Sequence, residues 1–372
     1  MSVASPKRFA GYLERTKEWL EHPDRHTAKP APLHPAEPAD EPTLADDAFH
    51  WPHYAGHSHP LWYVEWWYFA FEDAQTGLSG IVALGVMNPQ NVGGLGVASM
   101  FVAVVDRNTG KTTTKMDIID LKEFVASYTK ADLSFGRSTN VALNEDHYHL
   151  NVVSNDGELA LDLHFRRTPG VAPHWMAKDI AGTKRDWEVS SWMAFMPSAS
   201  TEGTLRIGQQ NIQLKGTGYH DHNWAVWLFP ASTWQWAMFN RPDPDPKRSI
   251  AFDFATQESF DFSQAFLRWN GMDLKFEHVE CRPGQWKSWH VLWRYPTAAS
   301  LSATTTGPDD KTYRLDLSWQ TTAAAPLWKC PMIIFEQTAN FTGTLSVEDA
   351  SGTVQRHALS FEGFYEYTAK WY

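Results

Sequence analysis

The sequence predicts a mostly antiparallel β protein built as two barrel- or sandwich-like halves. Three observations lead there. Alternating apolar and polar residues recur in short runs from about residue 60 to the end. Successive runs are joined by turns of Asn, Asp and Gly, the signature of hairpins. No helical pattern of about 12 residues separates one run from the next, so parallel crossovers are not expected. A chain of 372 residues holds too much strand for one small barrel, so two halves are expected.

The elements follow in order. Residues 7–20 have a helical pattern, with Phe9, Tyr12, Leu13, Trp19 and Leu20 near one face and charges on the other. Residues 23–50 are rich in Pro, Ala, Asp and Glu and read as an extended arm laid over the surface. "MFVAVV" and "TTTKMDIID" flank the turn "DRNTGK". "HYHLNVV" and "LALDLHF" flank "SNDGE", and "FTGTLSV" and "VQRHALSFEGFYEY" flank "EDASGT". Each set predicts a hairpin. The stretch "PSASTEGTL" at 197–205 reads as the loop between the halves, and "RPDPDPKRS" at 241–249 as a Pro-stiffened loop within the second. The expected division is a helix and Pro-rich arm at 1–50, a first β domain at 51–200 and a second at 201–372.

Composition narrows the function. Hydrophobic residues make up 43%, as in a folded globular protein. Aromatics reach 14%, with 19 Trp, which points to an aromatic core or a large apolar ligand. The net charge of −11 argues against nucleic acid and anionic membranes as partners, since both call for clustered Lys and Arg. No apolar run is long enough for a transmembrane helix. The first 20 residues lack the apolar core of a signal peptide, so a cytoplasmic location is expected. Cys281 and Cys330 form no disulfide framework and read as buried or half-buried thiols.

Two stretches concentrate polar chemistry among aromatics. In "YVEWWYFAFE" (63–72), strand alternation puts Glu65, Trp67, Phe69 and Phe71 on one face and Trp66, Tyr68 and Ala70 on the other. A carboxylate in such a wall is raised in pKa unless a donor or cation compensates, which would make it a proton donor. The structural alternative is that Glu65 accepts hydrogen bonds and locks two strands together. In "GTGYHDHNWAVW" (216–227), Tyr219, Asp221, Asn223 and Trp227 share one face, and His220, His222, Trp224 and Val226 the other. The following "STWQWAMFN" offers Trp234 and Trp236 as an apolar wall.

Other chemistries find less support. His220 and His222 form an H-x-H pair, as do His57 and His59, but a third ligand at useful spacing is missing, so no metal is expected. The sequence lacks the nucleophile elbow of a hydrolase and the glycine loops of nucleotide sites. "NVGGLGVAS" (91–99) reads as a turn or bulge.

"EWWYF" (65–69) and "GYHDHNW" (218–224), taken together, resemble the carotenoid 1,2-hydratase (hydroxyneurosporene synthase) family. That family sits within a lipocalin-like group that includes the fungal Diels–Alderases. The closing "EGFYEY" (362–367) fits its last barrel strand, so the resemblance spans roughly residues 50–372. It implies two tandem lipocalin-like domains around an apolar pocket, a hydrophobic small-molecule substrate, and no metal or redox cofactor. Carried over from the first stretch are Glu65, Trp66, Trp67 and Tyr68. From the second come Tyr219, His220, Asp221, His222, Asn223 and Trp224. Where the family often has Gly after this Trp, the chain has Ala225, so local geometry there is expected to differ.

The resemblance leaves three readings, in this order. The first is a cyclase of secondary metabolism acting on a polyene or isoprenoid, by a pericyclic or cationic route. The second is a hydratase that protonates a C=C bond and captures the cation with water. The third is a carrier of a lipid or pigment. Asp221 is the expected proton donor, with Trp224 or Trp236 presenting a π face to a cation. In the pericyclic route His222, Asn223 or Tyr68 donates to a carbonyl. Asp221, His222, Glu65 and Tyr68 are thus the expected catalytic residues. Trp66, Trp67, Tyr219, Asn223, Trp224, Trp234 and Trp236 are the expected binding residues.

Overall fold

The computed structural model describes residues 41–228, 232–289, 293–329 and 332–369. The helix expected at 7–20, most of the arm and Cys330 lie outside them. The described chain opens with a one-turn helix, α1 (Trp51–Tyr54), and then runs almost wholly as strands. The first set is β1 (Tyr63–Asp73), β2 (Leu78–Met87), β3 (Val97–Asp106), β4 (Lys111–Ile119), β5 (Phe124–Ala126) and β6 (Asp132–Phe135). It continues with β7 (Ser138–Asn144), β8 (His147–Val153), β9 (Leu159–Arg167), β10 (His174–Ala181), β11 (Val189–Ile207) and β12 (Gln210–Val226). These twelve strands form one antiparallel sheet in the order β4-β3-β2-β1-β12-β11-β9-β8-β7-β6-β5, with β10 also on β11, and it curls into a nearly closed barrel.

The second set is β13 (Trp234–Arg241), β14 (Ile250–Gln257), β15 (Phe262–Trp269), β16 (Met272–Glu277) and β17 (Glu280–Trp289). It ends with β18 (Trp293–Thr306), β19 (Thr312–Lys329), β20 (Met332–Glu348) and β21 (Val354–Ala369). These nine strands form a half-barrel in the order β16-β15-β14-β13-β21-β20-β19-β18-β17. The three hairpins expected from turn chemistry are present as β3–β4, β8–β9 and β20–β21. Residues 242–249 form the expected loop between β13 and β14.

Two expectations are corrected. Residues 197–205 are not a linking loop but the interior of β11, a 19-residue strand. Its first half pairs with β10 and its second with β9, and register shifts between Ala194 and Ala199 mark the bend. Exposed Ser200, Glu202 and Thr204 alternate there with buried Ala199, Thr201 and Leu205, so a polar run reads as loop while it serves as strand. The chain changes sheet later, between Val226 and Trp234. The second correction concerns the arm. Its described end, residues 41–50, is not simply laid on the surface, because Asp47, Ala48 and Phe49 are buried against the first sheet.

Three apolar clusters hold the fold. One fills the barrel, with Trp67, Phe69, Phe165 and Trp224. One fills the half-barrel, with Phe239, Phe252, Trp319 and Tyr365. The third lies between the sheets and joins Tyr68, Trp192, Tyr219 and Trp227 of the first to Trp234, Trp236 and Phe364 of the second. No helix among the described residues is long and apolar enough to cross a membrane.

Candidate functional site

β1 and β12 pair directly, with Trp67 opposite His222 and Tyr68 opposite Asp221. Period-2 alternation therefore sends the two quoted stretches to both faces of one sheet. Gly218 lets them settle, since a Cβ there would lie 2.0 Å from Thr201 Oγ1 and 2.7 Å from the Phe165 ring. Ala225 sits in regular strand opposite Val64 and Ser190.

One polar cluster faces the barrel interior. His222 Nε2 is 2.9 Å from Glu65 Oε1, and its Nδ1 is 3.2 Å from Asp47 Oδ1. His220 Nε2 meets Asp47 Oδ2 at 3.0 Å, and its Nδ1 meets the Tyr68 carbonyl oxygen at 2.9 Å. The Tyr148 hydroxyl donates to Asp47 and the Tyr63 hydroxyl to Glu65. The His50 backbone N–H donates to Glu65 Oε1 at 3.0 Å. Trp67 stacks on His222 at 4.5 Å, and Trp224 on His50 at 3.6 Å.

Electrostatics explains how these charges stay buried. Burial alone would lift Glu65, but hydrogen bonds from His222 and His50 outweigh it and hold the carboxyl below its ordinary value. Asp47 behaves alike: burial opposes ionisation, and His220 and His222 more than offset it. Burial lowers His222, yet the carboxylates of Asp47 and Glu65 win and push it up to about 9. An imidazolium thus sits between two carboxylates, and the cluster clasps the arm to β1 and β12. Glu65 here is the strand-locking acceptor rather than a neutral acid.

A metal was not expected here for want of a third ligand, and that premise is corrected. His50, Glu65 and His222 bring one donor atom each within 4.8 Å. His222 also faces a carboxylate with each ring nitrogen, Glu65 at Nε2 and Asp47 at Nδ1. The other H-x-H pair lies after α1, where His59 stacks on Trp187 at 4.1 Å.

A second polar cluster lies on the opposite face, between the sheets. The Tyr219 hydroxyl donates to Asp221 Oδ2 at 3.0 Å, and the Trp236 indole N–H points to that hydroxyl at 3.3 Å. The Tyr68 hydroxyl donates to Glu336 Oε2 at 3.0 Å, and the Trp234 indole donates to Glu366. Asp253 is also buried here, its Oδ2 3.4 Å from His174 Nε2. Asp221 Oδ1 has no hydrogen-bond partner among the described residues. Burial pushes Asp221 up to about 8, and the nearby Glu366 adds to the rise against the opposing Tyr219 hydrogen bond. Burial and the Asp221 charge raise Asp253 well above the carboxylate range. Both shifts favour the protonated form of these two carboxyls. Beside them is a cavity of about 10 Å³, room for about one water, lined by Trp66, Trp192, Asn223, Trp227, Trp234 and Gln257 among others.

The sheet therefore splits the expected site. Asp221, Tyr68, Trp66, Tyr219, Asn223, Trp234 and Trp236 come together between the sheets. His222, Glu65, Trp67 and Trp224 come together inside the barrel, on the far side of the backbone. Of the two indoles expected to face a cation with Asp221, Trp236 shares its side and Trp224 does not. Sequence reasoning missed Asp47, His50, Glu336, Asp253 and His174. Glu366 stood within the quoted "EGFYEY" and was legible as a buried-strand carboxylate.

No family model matches the chain, and no curated protein matches it. Solved structures do. A candidate AttH from Nitrosomonas europaea superposes with a TM-score of 0.61 at 18% identity, over 90% of this chain and 98% of that one. CghA solved with Sch210972 gives 0.55 at 13%, over 84% and 89%. CghA alone gives 0.52 at 11%, over the same shares. At these identities the likeness is one of fold. It supports the lipocalin-like architecture and does not single out the carotenoid hydratases.

Proposed function

We propose that this protein is a cyclase of secondary metabolism that folds a hydrophobic polyene or isoprenoid between its two sheets. One arrangement supports the reading: the Asp221 carboxyl is buried between the sheets, is linked through the Tyr219 hydroxyl to the Trp236 indole, and is pushed up by that burial to about 8. In the cationic route, the Asp221 proton bonds to one alkene carbon through the π pair, leaving a carboxylate and a tertiary cation. Trp236 offers its π face to that cation. An internal alkene then closes the ring, and loss of a proton to Asp221 restores the acid. In the pericyclic route, Tyr68 and Asn223 orient a carbonyl of the dienophile and no proton moves.

Trp66, Tyr219 and Trp234 line the substrate space in this proposal. His222, Glu65, Trp67 and Trp224 act from the other face as positioning residues that fix β1 and β12. The cavity has room for about one water, so the proposal requires the sheets to part before a polyene can enter. CghA, which shares the fold, was solved with Sch210972, and this supports a small organic ligand.

The cavity also favours a second reading. A water held by Asn223 and Gln257 beside Asp221 could capture the cation, which makes a hydratase. Native mass spectrometry of the purified protein, followed by extraction of any bound molecule, identifies a substrate class. Turnover in deuterated and oxygen-18 water then separates the routes. A cationic cyclase takes up deuterium without solvent oxygen, a hydratase takes up both, and a pericyclase takes up neither. A ligand returned chemically unchanged, with and without Asp221, refutes catalysis and leaves a carrier.

A further inference from the structure

We infer that the outer face of the barrel carries a site for a divalent transition-metal ion of the zinc type, held by His149, Asp162 and His164. β8 and β9 pair with His149 directly opposite His164, and Asn151 opposite Asp162. The alternate residues Tyr148, Leu150, Leu163 and Phe165 are fully buried, so the backbone beneath the site is fixed by the core. The His149 and His164 rings stack at 4.5 Å and 9°. His149 Nε2 is 2.8 Å from Asp162 Oδ1. One donor atom from each of the three residues lies within 4.8 Å of the others.

Donors bound to one zinc at its usual bond lengths sit about 3.4 Å apart. Because imidazole lone pairs lie in the ring plane, binding would also turn His149 and His164 out of their stack so that both aim at the ion. Two imidazoles and a carboxylate suit zinc, nickel or copper rather than calcium or magnesium. Three protein ligands leave the remaining position to water. The surroundings are consistent with a cation. Glu202 of β11 pairs with His164 from its other side and adds a second carboxylate to the row. The opposing charges are Arg166, whose guanidinium is 3.2 Å from His147 Nδ1, and Lys215 of β12, which pairs with Glu202. His147 in turn places Nε2 3.0 Å from His164 Nδ1, a neutral partner that orients the ligand ring. An ordinary solvated face needs none of this convergence. The site is separate from both polar clusters on β1 and β12, so it stands or falls independently of the proposed reaction.

The test is zinc chloride titrated calorimetrically into the metal-stripped full chain, beside His149→Ala, His164→Ala, the double variant and Asp162→Asn. We expect a micromolar site in the parent. Each single variant should weaken it about tenfold or more, and the double variant should lack it. Thermal melts should stay close to the parent because all three side chains are solvent-facing. A parent that binds no zinc overturns the proposal. So does a double variant that binds as tightly as the parent. If a His variant fails to fold, Asp162→Asn decides, and unchanged affinity there also overturns it.

Discussion

Asp221→Asn isolates the energetic cost of the acid between the sheets. The substitution keeps the shape and an oxygen for the Tyr219 hydroxyl to bond, but removes the ionisation. In the folded protein Asp221 is pushed up to about 8 from an ordinary 3.8, because its carboxyl is buried. Between those values the folded state holds a proton that the unfolded chain has released. Stability must then fall as pH rises through this window. At about 1.4 kcal/mol per pH unit, the loss has a ceiling of roughly 6 kcal/mol. Because Asp221 and the neighbouring buried Asp253 are coupled, about 2–4 kcal/mol is expected to be visible. The assay is urea unfolding of parent and variant at pH 5, 6, 7, 8 and 8.5. The variant leaves a buried amide N–H₂ with imperfect partners, which adds an offset of about 1–3 kcal/mol independent of pH. The informative quantity is therefore the slope of the difference. The variant should gain on the parent steadily from pH 5 to 8. Parallel curves would show that Asp221 is ionised throughout, and both the buried-acid argument and the cationic route would fail with it.

Three further outcomes are expected. His222→Leu leaves Asp47 and Glu65 buried without their shared cation and should cost about 3–5 kcal/mol by urea unfolding. That penalty should be full below about pH 6.5 and shrink as pH rises through about 9, because His222 itself loses its proton there. Asp47→Asn should loosen the arm from His220, His222 and Tyr148, and limited proteolysis should then cut near residues 41–50 faster than in the parent. Gly218→Ala forces a Cβ against Thr201 and Phe165, so it should lower stability by about 1–3 kcal/mol while far-ultraviolet dichroism stays that of a β protein.

Much of the fold was legible because its signals are local. Alternation in 63–72 and 216–227 fixed which side chains share a face, and Asn, Asp and Gly turns fixed three hairpins. Local patterning also misled at 197–205, where a polar run inside a long bent strand has the composition of a loop. The site was half legible for a related reason. Both faces of β1 and β12 carry aromatics, so periodicity could not say which face meets the second sheet. Only the packing of Trp236 against Tyr68 and Tyr219, and of Trp234 against Trp66 and Trp227, decided that Asp221 is on the shared side and His222 is not. Asp47 reaches His220 across 173 positions, and Glu336 reaches Tyr68 across 268. Contacts at such separation leave no periodic trace in the chain. Whether a buried acid is pushed down, as Glu65 is, or up, as Asp221 is, depends on what those distant partners supply: His222 and other hydrogen-bond donors in the barrel, other carboxyls between the sheets.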